Sequence, residues 1–224
     1  MGRRGEHSKA EIEAMALEAA ESIIENEGYP GLSARKVASA IGYTVGSLYF
    51  VFKNLDELVQ RVNGRTLDQL YTTLTEAMVD RRVPQTCLLA LGSAYLDYAT
   101  RHVHRWRMVF EHQPQSEGLP LEIHQDKMYR LFSLVEDQLQ VLATRRSREE
   151  ITVAACALWS GVHGIAIMAI TRHLRSEGEQ SVRNLTEHLI SHYLDGLSVQ
   201  ESDAQTGAEE AGIFNANVIP SHSQ

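Results

Sequence analysis

The sequence predicts an all-α protein, and three observations support this fold class. Apolar residues recur at spacings of three and four through most of the 224 residues, which is the period of one buried helix face. Ser8 with Glu11 and Ser147 with Glu150 have the spacing of a capping box, a side-chain pair that starts helices. No segment alternates polar and apolar residues long enough to predict a strand.

The N-terminal part of the chain is predicted to form three helices. The first begins after Ser8 and ends near Gly28. The second is capped by Ser33, and Gly42 ends it at a position that needs a left-handed backbone. Thr44 caps the third, because its hydroxyl can accept a backbone N–H of the first turn.

The third helix has two faces of different chemistry. Its buried face is predicted by apolar residues three and four apart, Val45, Leu48 and Phe52. The opposite face carries Gly46, Ser47 and Tyr49 and is small and polar enough to approach a DNA groove. Two short helices joined by a glycine-containing turn predict a helix-turn-helix, whose second helix enters the major groove.

The same region resembles the DNA-binding domain of TetR-type transcriptional regulators. The resemblance is carried by Gly42, Thr44, Gly46, Ser47, Leu48, Tyr49, Phe52 and Leu58. The family usually has a lysine at the start of the following helix, where this chain has Leu55, so Lys53 is the candidate for the same phosphate. The resemblance implies a transcriptional regulator, commonly a repressor that releases DNA when a small apolar ligand binds.

Eight residues are candidates for contact with double-stranded DNA at a palindromic operator: Ser33, Arg35, Thr44, Val45, Gly46, Ser47, Tyr49 and Lys53. Ser33, Tyr49 and Lys53 are expected to hold phosphates, and Thr44, Val45 and Ser47 to read bases. The net charge of −8 does not exclude DNA, because phosphate contacts are local. The basic residues cluster in an N-terminal arm and around the helix-turn-helix, whereas the acidic residues lie mainly on the first helix.

The rest of the chain is also predicted to be helical. The predicted helices span 55–80, a segment starting at Pro84, 104–111, 121–143, 147–174 and 184–197, with a loop at 112–120. Residues 198–224 contain four acids and no Lys or Arg, and this composition predicts a disordered acidic tail. We therefore expect a DNA-binding domain over residues 1–54 and a ligand-binding and dimerisation domain over 55–197.

Small residues on the 147–174 helix predict a close helix contact. A glycine inside a helix costs about 1 kcal/mol relative to alanine, so two glycines suggest a packing requirement. We expect a homodimer through a four-helix bundle, with interface residues Ala157, Gly161, Gly164, Leu189 and Tyr193. Trp159, Gly161, His163 and Gly164 also resemble the Trp-His-Gly pattern of one branch of TetR-type C-terminal domains.

Aromatic side chains gather in the middle of the chain. One interpretation is that they are simply core. The other is a cavity for a small hydrophobic ligand, lined by Tyr95, Trp106, Phe110, Phe132, Trp159 and His163. A rival function, a DNA-bound protein that acts through protein contacts, as a cell-division or nucleoid factor does, needs no such cavity.

Other classes of function are disfavoured. The chain has no Gly-x-Ser-x-Gly, phosphate-binding glycine loop or His-Glu-x-x-His, so no catalytic residue and no cofactor are expected, and a helical enzyme is a remote rival. His188 and His192 are four apart and could face one metal ion, but a solvated helix face is preferred. No apolar stretch is expected to cross a membrane, which favours the cytoplasm, and Cys87 and Cys156 are expected to be buried free thiols.

Overall fold

A computed structural model describes residues 7–112, 121–172 and 181–198, excluding the side chains of residues 121–123. Throughout these ranges the regular structure is helical, which confirms the all-α fold class. The helices are α1 (Lys9–Glu27), α2 (Ala34–Ala40), α3 (Val45–Val51), α4 (Leu55–Ala77), α5 (Pro84–Arg101), α6 (Val103–Glu111), α7 (Leu121–Leu142), α8 (Arg148–Ile170) and α9 (181–198), with a short 3-10 turn at Tyr29–Gly31.

Local capping chemistry sets several helix starts. The sequence also predicts a capping box at Asn54 and Glu57. Of the three predicted boxes, those at Ser8 and Ser147 are present. Asn54 caps α4 by accepting the Glu57 backbone N–H at 2.8 Å. The Glu57 carboxylate does not return to Asn54 but accepts the Lys53 N–H at 2.6 Å, so this third pair is a single cap.

The ends of α8 and α9 differ from the sequence prediction. Helix α8 stops at Ile170 rather than near residue 174, and Arg172 has a positive φ of 56° that is incompatible with its continuation. The described part of α9 is already helical at residue 181, three residues before the predicted start. The predicted loop at 113–120 and the predicted tail from residue 199 onward lie outside the described residues.

Buried apolar side chains form two clusters, which we call the N-terminal core and the C-terminal core. Helix α4 contributes to both, with Leu58, Val59 and Val62 in the N-terminal core and Leu67, Leu70 and Leu74 in the C-terminal core. Helix α6 also contributes to both, through Met108 on one side and Trp106 and Val109 on the other. These two helices therefore connect the parts of the molecule, and the domain division at residue 54 stays a prediction.

Helix α8 is the most apolar element. It is 23 residues long and contains an 18-residue window with a mean hydropathy of 1.9, of which about a third is buried. The expectation that no segment could span a membrane is therefore wrong by length and composition alone. Helix α8 packs against α5 and α7, as the core helix of a soluble domain does, so its hydropathy is weak evidence for a membrane.

Candidate functional site

The first site is the helix-turn-helix formed by α2, the turn and α3. Gly42 has a φ of 74°, the left-handed conformation that glycine adopts without strain, and an added Cβ there would meet nothing within 4 Å. Ser33 and Thr44 accept backbone N–H groups of Lys36 and Ser47, each at 3.2 Å. The turn and both caps are therefore those expected from the sequence.

The two faces of α3 are clearly divided. Leu48 and Val51 are buried, as is Phe52 just after the helix. Gly46, Tyr49 and Phe50 are exposed on the opposite side and form what we call the outer face of α3. The side chain of Phe50 is 71% exposed, more than that of Tyr49 at 45%.

The predicted base-reading residues lie at the edges of the outer face. Val45 and Ser47 are half-buried. The hydroxyl oxygens of Thr44 and Ser47 are 3.0 Å apart and bonded to each other, while Thr44 also caps the helix. Sequence reasoning missed Phe50, although its spacing of four from Gly46 could have placed it on the outer face.

Exposed basic residues belong to the helix-turn-helix and to the start of α1. Lys9, Arg35 and Lys53 are exposed, and among the described residues no carboxylate forms an ion pair with any of them. Lys36, by contrast, pairs with Glu27. Three cations are thus available for phosphates, and Lys9 was not among the predicted contact residues.

The acids of α1 are used inside the molecule. Glu13, Glu21 and Glu25 form ion pairs with Arg61, Arg65 and Arg105 respectively. The first two arginines belong to α4 and the third to α6, so these pairs tie α1 to both connecting helices. The acidic composition of α1 therefore reflects contacts between helices as well as a solvated face.

The second site is an aromatic cluster in the C-terminal core, formed by Tyr95, Trp106, Phe110, Phe132, Trp159 and His163. The imidazole of His163 lies at its centre, with ring centroids of Trp106, Phe110 and Trp159 at 4.9, 4.7 and 4.7 Å. Phe132 joins through Trp159 at 5.0 Å. The structure thus brings together all six residues predicted to line a cavity.

Three polar groups within the cluster form a hydrogen-bonded chain. The indole N–H of Trp106 donates to the Tyr95 hydroxyl oxygen at 3.1 Å, and that oxygen lies 2.7 Å from Nδ1 of His163. Since an indole nitrogen can only donate, the Tyr95 hydrogen is left to donate to Nδ1. The neutral imidazole then carries its hydrogen on Nε2. Burial lowers the pKa of His163 and raises the pKa of Tyr95, so both groups favour their neutral forms.

The rings of the cluster leave little space between them. A cavity of about 40 Å³ lies beside Tyr95 and Trp159, and its remaining walls come mainly from leucines and valines. That volume is close to the space of one water molecule and is far too small for an acyl chain or an aromatic compound. A ligand site lined by all six residues stays a prediction, and in this conformation their rings pack against one another.

A larger groove lies between the 3-10 turn and α6. It has a volume of about 550 Å³ and is open to solvent. Its walls include Tyr29, His104, Met108 and His112. Sequence reasoning did not find it, because its two walls are more than 70 residues apart in the chain and meet only through the fold.

The predicted interface residues fall into two groups. A Cβ on Gly161 would lie 2.6 Å from Cδ2 of Leu189, and the Tyr193 hydroxyl donates to the Ala154 carbonyl at 3.2 Å. Gly161, Leu189 and Tyr193 therefore join α8 to α9 within one subunit, and their role at a subunit interface stays a prediction. Ala157 is exposed, and a Cβ on Gly164 would meet nothing within 4 Å.

Ala157 belongs to an exposed strip on α8, which we call the α8 stripe. It follows helical spacing and comprises the exposed residues Val153, Ala157, Ser160, Ile167 and Met168, with the half-buried Gly164 between them. Cys156 beside it is also exposed, which corrects its prediction as a buried thiol, whereas Cys87 is buried as predicted. The stripe explains why so apolar a helix is only about one-third buried.

Two family models match this chain. The model described as bacterial regulatory proteins, tetR family, matches residues 16–62. The model described as Tetracyclin repressor-like, C-terminal domain, matches residues 88–193. The first covers the helix-turn-helix and the start of α4, and the second covers the aromatic cluster and most of α8 and α9.

Individual relatives agree with these matches. An uncharacterised HTH-type transcriptional regulator of Mycobacterium tuberculosis is 24% identical over 156 residues, 69% of this chain and 68% of that protein. A solved protein of unknown function from Rhodococcus sp. RHA1 has a TM-score of 0.70 at 19% identity, covering 88% of this chain and all of the other.

A TetR-like transcriptional regulator from the same Rhodococcus strain has a TM-score of 0.60 at 18% identity, covering 85% of this chain and all of the other. At such identities the solved structures show a shared fold only. The two family matches together span most of the chain, from the helix-turn-helix to α9. This chain belongs to the TetR family and is a DNA-binding transcriptional regulator.

Proposed function

We propose that this regulator is a homodimeric repressor that leaves a palindromic operator when a small hydrophobic ligand binds its C-terminal core. The observation that carries the DNA-binding part is the outer face of α3. It is exposed opposite a well-buried face, and Lys9, Arg35 and Lys53 are exposed cations that form no ion pair among the described residues. Such a face suits base edges in the major groove, with the cations on the flanking phosphates.

Helix α6 supports the proposed coupling between ligand and DNA. It holds Trp106 and Phe110 in the aromatic cluster and Met108 in the N-terminal core. Arg105 on the same helix bonds Glu25 of α1 at 2.8 Å. A ligand that moves Trp106 or Phe110 must therefore also move contacts of the DNA-binding part, and the ligand shifts the population toward the arrangement it prefers.

The aromatic cluster is the proposed ligand site, and binding must open it. The cluster is apolar except for the Trp106–Tyr95–His163 chain, which supplies one polar anchor in aromatic surroundings. We infer a ligand with a hydrophobic body and one polar group, which separates the rings and enlarges the 40 Å³ cavity. Separating the rings costs free energy, so only a fraction of the molecules is open at any time. The apparent affinity of the ligand equals its affinity for the open conformation multiplied by that fraction.

The α8 stripe is the proposed subunit interface. Val153 is 65% exposed, and Ile167 and Met168 are each more than 40% exposed. Contiguous exposed apolar surface of this kind marks an interaction site. A second copy of the chain would cover it by pairing α8 helices around a two-fold axis, which would also place two α3 helices on one DNA face.

The proposal is tested by mixing the purified full chain with fragmented genomic DNA at low salt and sequencing the fragments that it retains. We expect a small set of fragments that share an inverted repeat. Tyr49→Ala or Lys53→Ala should weaken binding to all fragments alike, since both residues are assigned to phosphates. His188→Ala, on the exposed side of α9, is the matched control and should bind as the wild type does. Retention no better than nonspecific would contradict the proposal.

A further inference from the structure

We propose that Phe50 is a base-reading residue that contacts a thymine methyl group in the major groove, with Gly46 leaving the gap through which the base edge approaches. This inference rests on the proposed DNA-binding function. Phe50 is not among the residues that the sequence predicts to contact DNA, and nothing in the family matches assigns it a role.

The exposure of Phe50 is the first observation. Its side chain is 71% exposed, whereas Leu48 and Val51 of the same seven-residue helix are almost fully buried. A large exposed apolar side chain gains free energy when a partner covers it. Phe50 lies on the outer face of α3, and DNA is the proposed partner of that face. DNA is therefore also the expected partner of Phe50.

Space beside the ring is the second observation. Gly46 lies four residues before Phe50, so both occupy the same side of α3. An added Cβ on Gly46 would meet only the Thr44 hydroxyl oxygen, at 3.7 Å. A base edge can therefore approach the backbone of α3 directly alongside the Phe50 ring.

Charge around the ring favours nucleic acid over an apolar protein partner. The ammonium of Lys9 lies 5.6 Å from the centroid of the Phe50 ring, a cation–π arrangement. Lys9 begins α1, and among the described residues it has no acidic partner. An apolar ring with an ammonium above it matches a base edge with a phosphate beside it.

The chemistry of the groove then identifies the base. In the major groove, guanine, cytosine and adenine present hydrogen-bond donors and acceptors, whereas thymine adds an apolar C5-methyl group. A phenylalanine offers neither donors nor acceptors to a base edge and gains only from apolar contact. Thymine is therefore the base that Phe50 distinguishes.

The test replaces thymine by uracil, which removes only the C5-methyl group, at each position of a half-site in a retained DNA fragment. We expect wild-type affinity to fall about fourfold at one position of the half-site, the loss expected for one buried methyl group. Phe50→Ala should bind the thymine and uracil versions of that fragment equally. Because Phe50 is exposed, this variant should keep the helical content and unfolding midpoint of the wild type.

Tyr49→Phe is the matched control on the same face. It should lose affinity for every fragment but keep the uracil effect, because Tyr49 is assigned to a phosphate. Persistence of the uracil effect in Phe50→Ala would overturn the inference, as would a wild type that is insensitive to uracil at every position while still binding the fragment specifically. A wild type that binds no fragment would instead contradict the proposed function itself.

Discussion

Hydrogen bonds between particular residues satisfy the polar groups that lie among apolar side chains. His163 is the clearest case, because it sits among three aromatic rings and accepts a hydrogen bond from Tyr95. A neutral imidazole fits this position, since Nδ1 must remain free to accept. Protonation would put a hydrogen on Nδ1 and break the Trp106–Tyr95–His163 chain.

His163 should therefore make stability depend on pH. Burial lowers the pKa of His163 in the folded protein, while in the unfolded chain it titrates near about 6.5. As the pH falls, the unfolded chain takes up this proton first, so the stabilisation is complete above about pH 6.5 and is lost as the pH falls toward the lowered folded value. Urea unfolding at about pH 7.5 and about pH 5.5 measures this effect. The free energy of unfolding should fall less between these pH values for His163→Gln than for the wild type.

His188→Gln is the matched control, because His188 is exposed on α9. It should reproduce the wild-type difference between the two pH values. Equal losses for the wild type and His163→Gln would show that His163 is not held neutral by its surroundings.

Residues whose role is local were predictable, and those whose role depends on distant partners were not. Ser8, Ser33, Thr44 and Ser147 cap helices through backbone groups three residues away, so sequence spacing alone identifies them. By contrast, the pairs of Glu13 with Arg61 and of Glu25 with Arg105 join residues far apart in the chain and were not predicted.

Among the elements, α8 and α9 show what a pattern of small residues does and does not predict. Small side chains at helical spacing predict that another helix approaches closely, and at Gly161 one does. The pattern cannot say whether that helix belongs to the same chain. Here α9 of the same subunit approaches Gly161, while Gly164 lies on the open side.

The two glycines should therefore respond differently to the same substitution. Gly164→Ala should raise the free energy of unfolding by about 1 kcal/mol, because alanine favours the helix and meets no neighbour. Gly161→Ala should gain less or lose stability, because its Cβ would lie 2.6 Å from Leu189 and force that side chain to move. Urea unfolding of both variants measures the difference. Equal gains would show that α9 does not lie against Gly161.

A larger side chain at Gly161 should have a larger effect on stability. Gly161→Leu should cost about 1–3 kcal/mol through overpacking between α8 and α9. The loss should appear in the stability of the subunit, since the contact is internal. This differs from the sequence-based expectation, in which the same change would separate two subunits.

For the whole molecule, the sequence predicted the architecture better than the interior. Long amphipathic patterns and caps predict an all-α chain, and the helix-turn-helix follows from residues close together between Ser33 and Phe52. The volume left between the six aromatic rings was not predictable, because the orientations of the rings depend on how four different helices pack. The same limit applies to the ion pairs of α1, whose arginines come from α4 and α6.

The proposed dimer links this architecture to DNA. Val153→Asp places a charge in the most exposed part of the α8 stripe, where a second copy would bury it. We expect this variant to be a folded monomer that contacts one half-site at a time.

The central claim is that two α3 outer faces, one from each subunit, bind one two-fold DNA site. Hydroxyl-radical footprinting of a retained fragment with the full chain tests it most directly. We expect two protected patches on one face of the duplex, related by two-fold symmetry and centred about 34 Å apart. Val153→Asp should lose the paired protection at concentrations where the wild type is saturated. A single patch that saturates with one chain per fragment, unchanged in Val153→Asp, would contradict the claim.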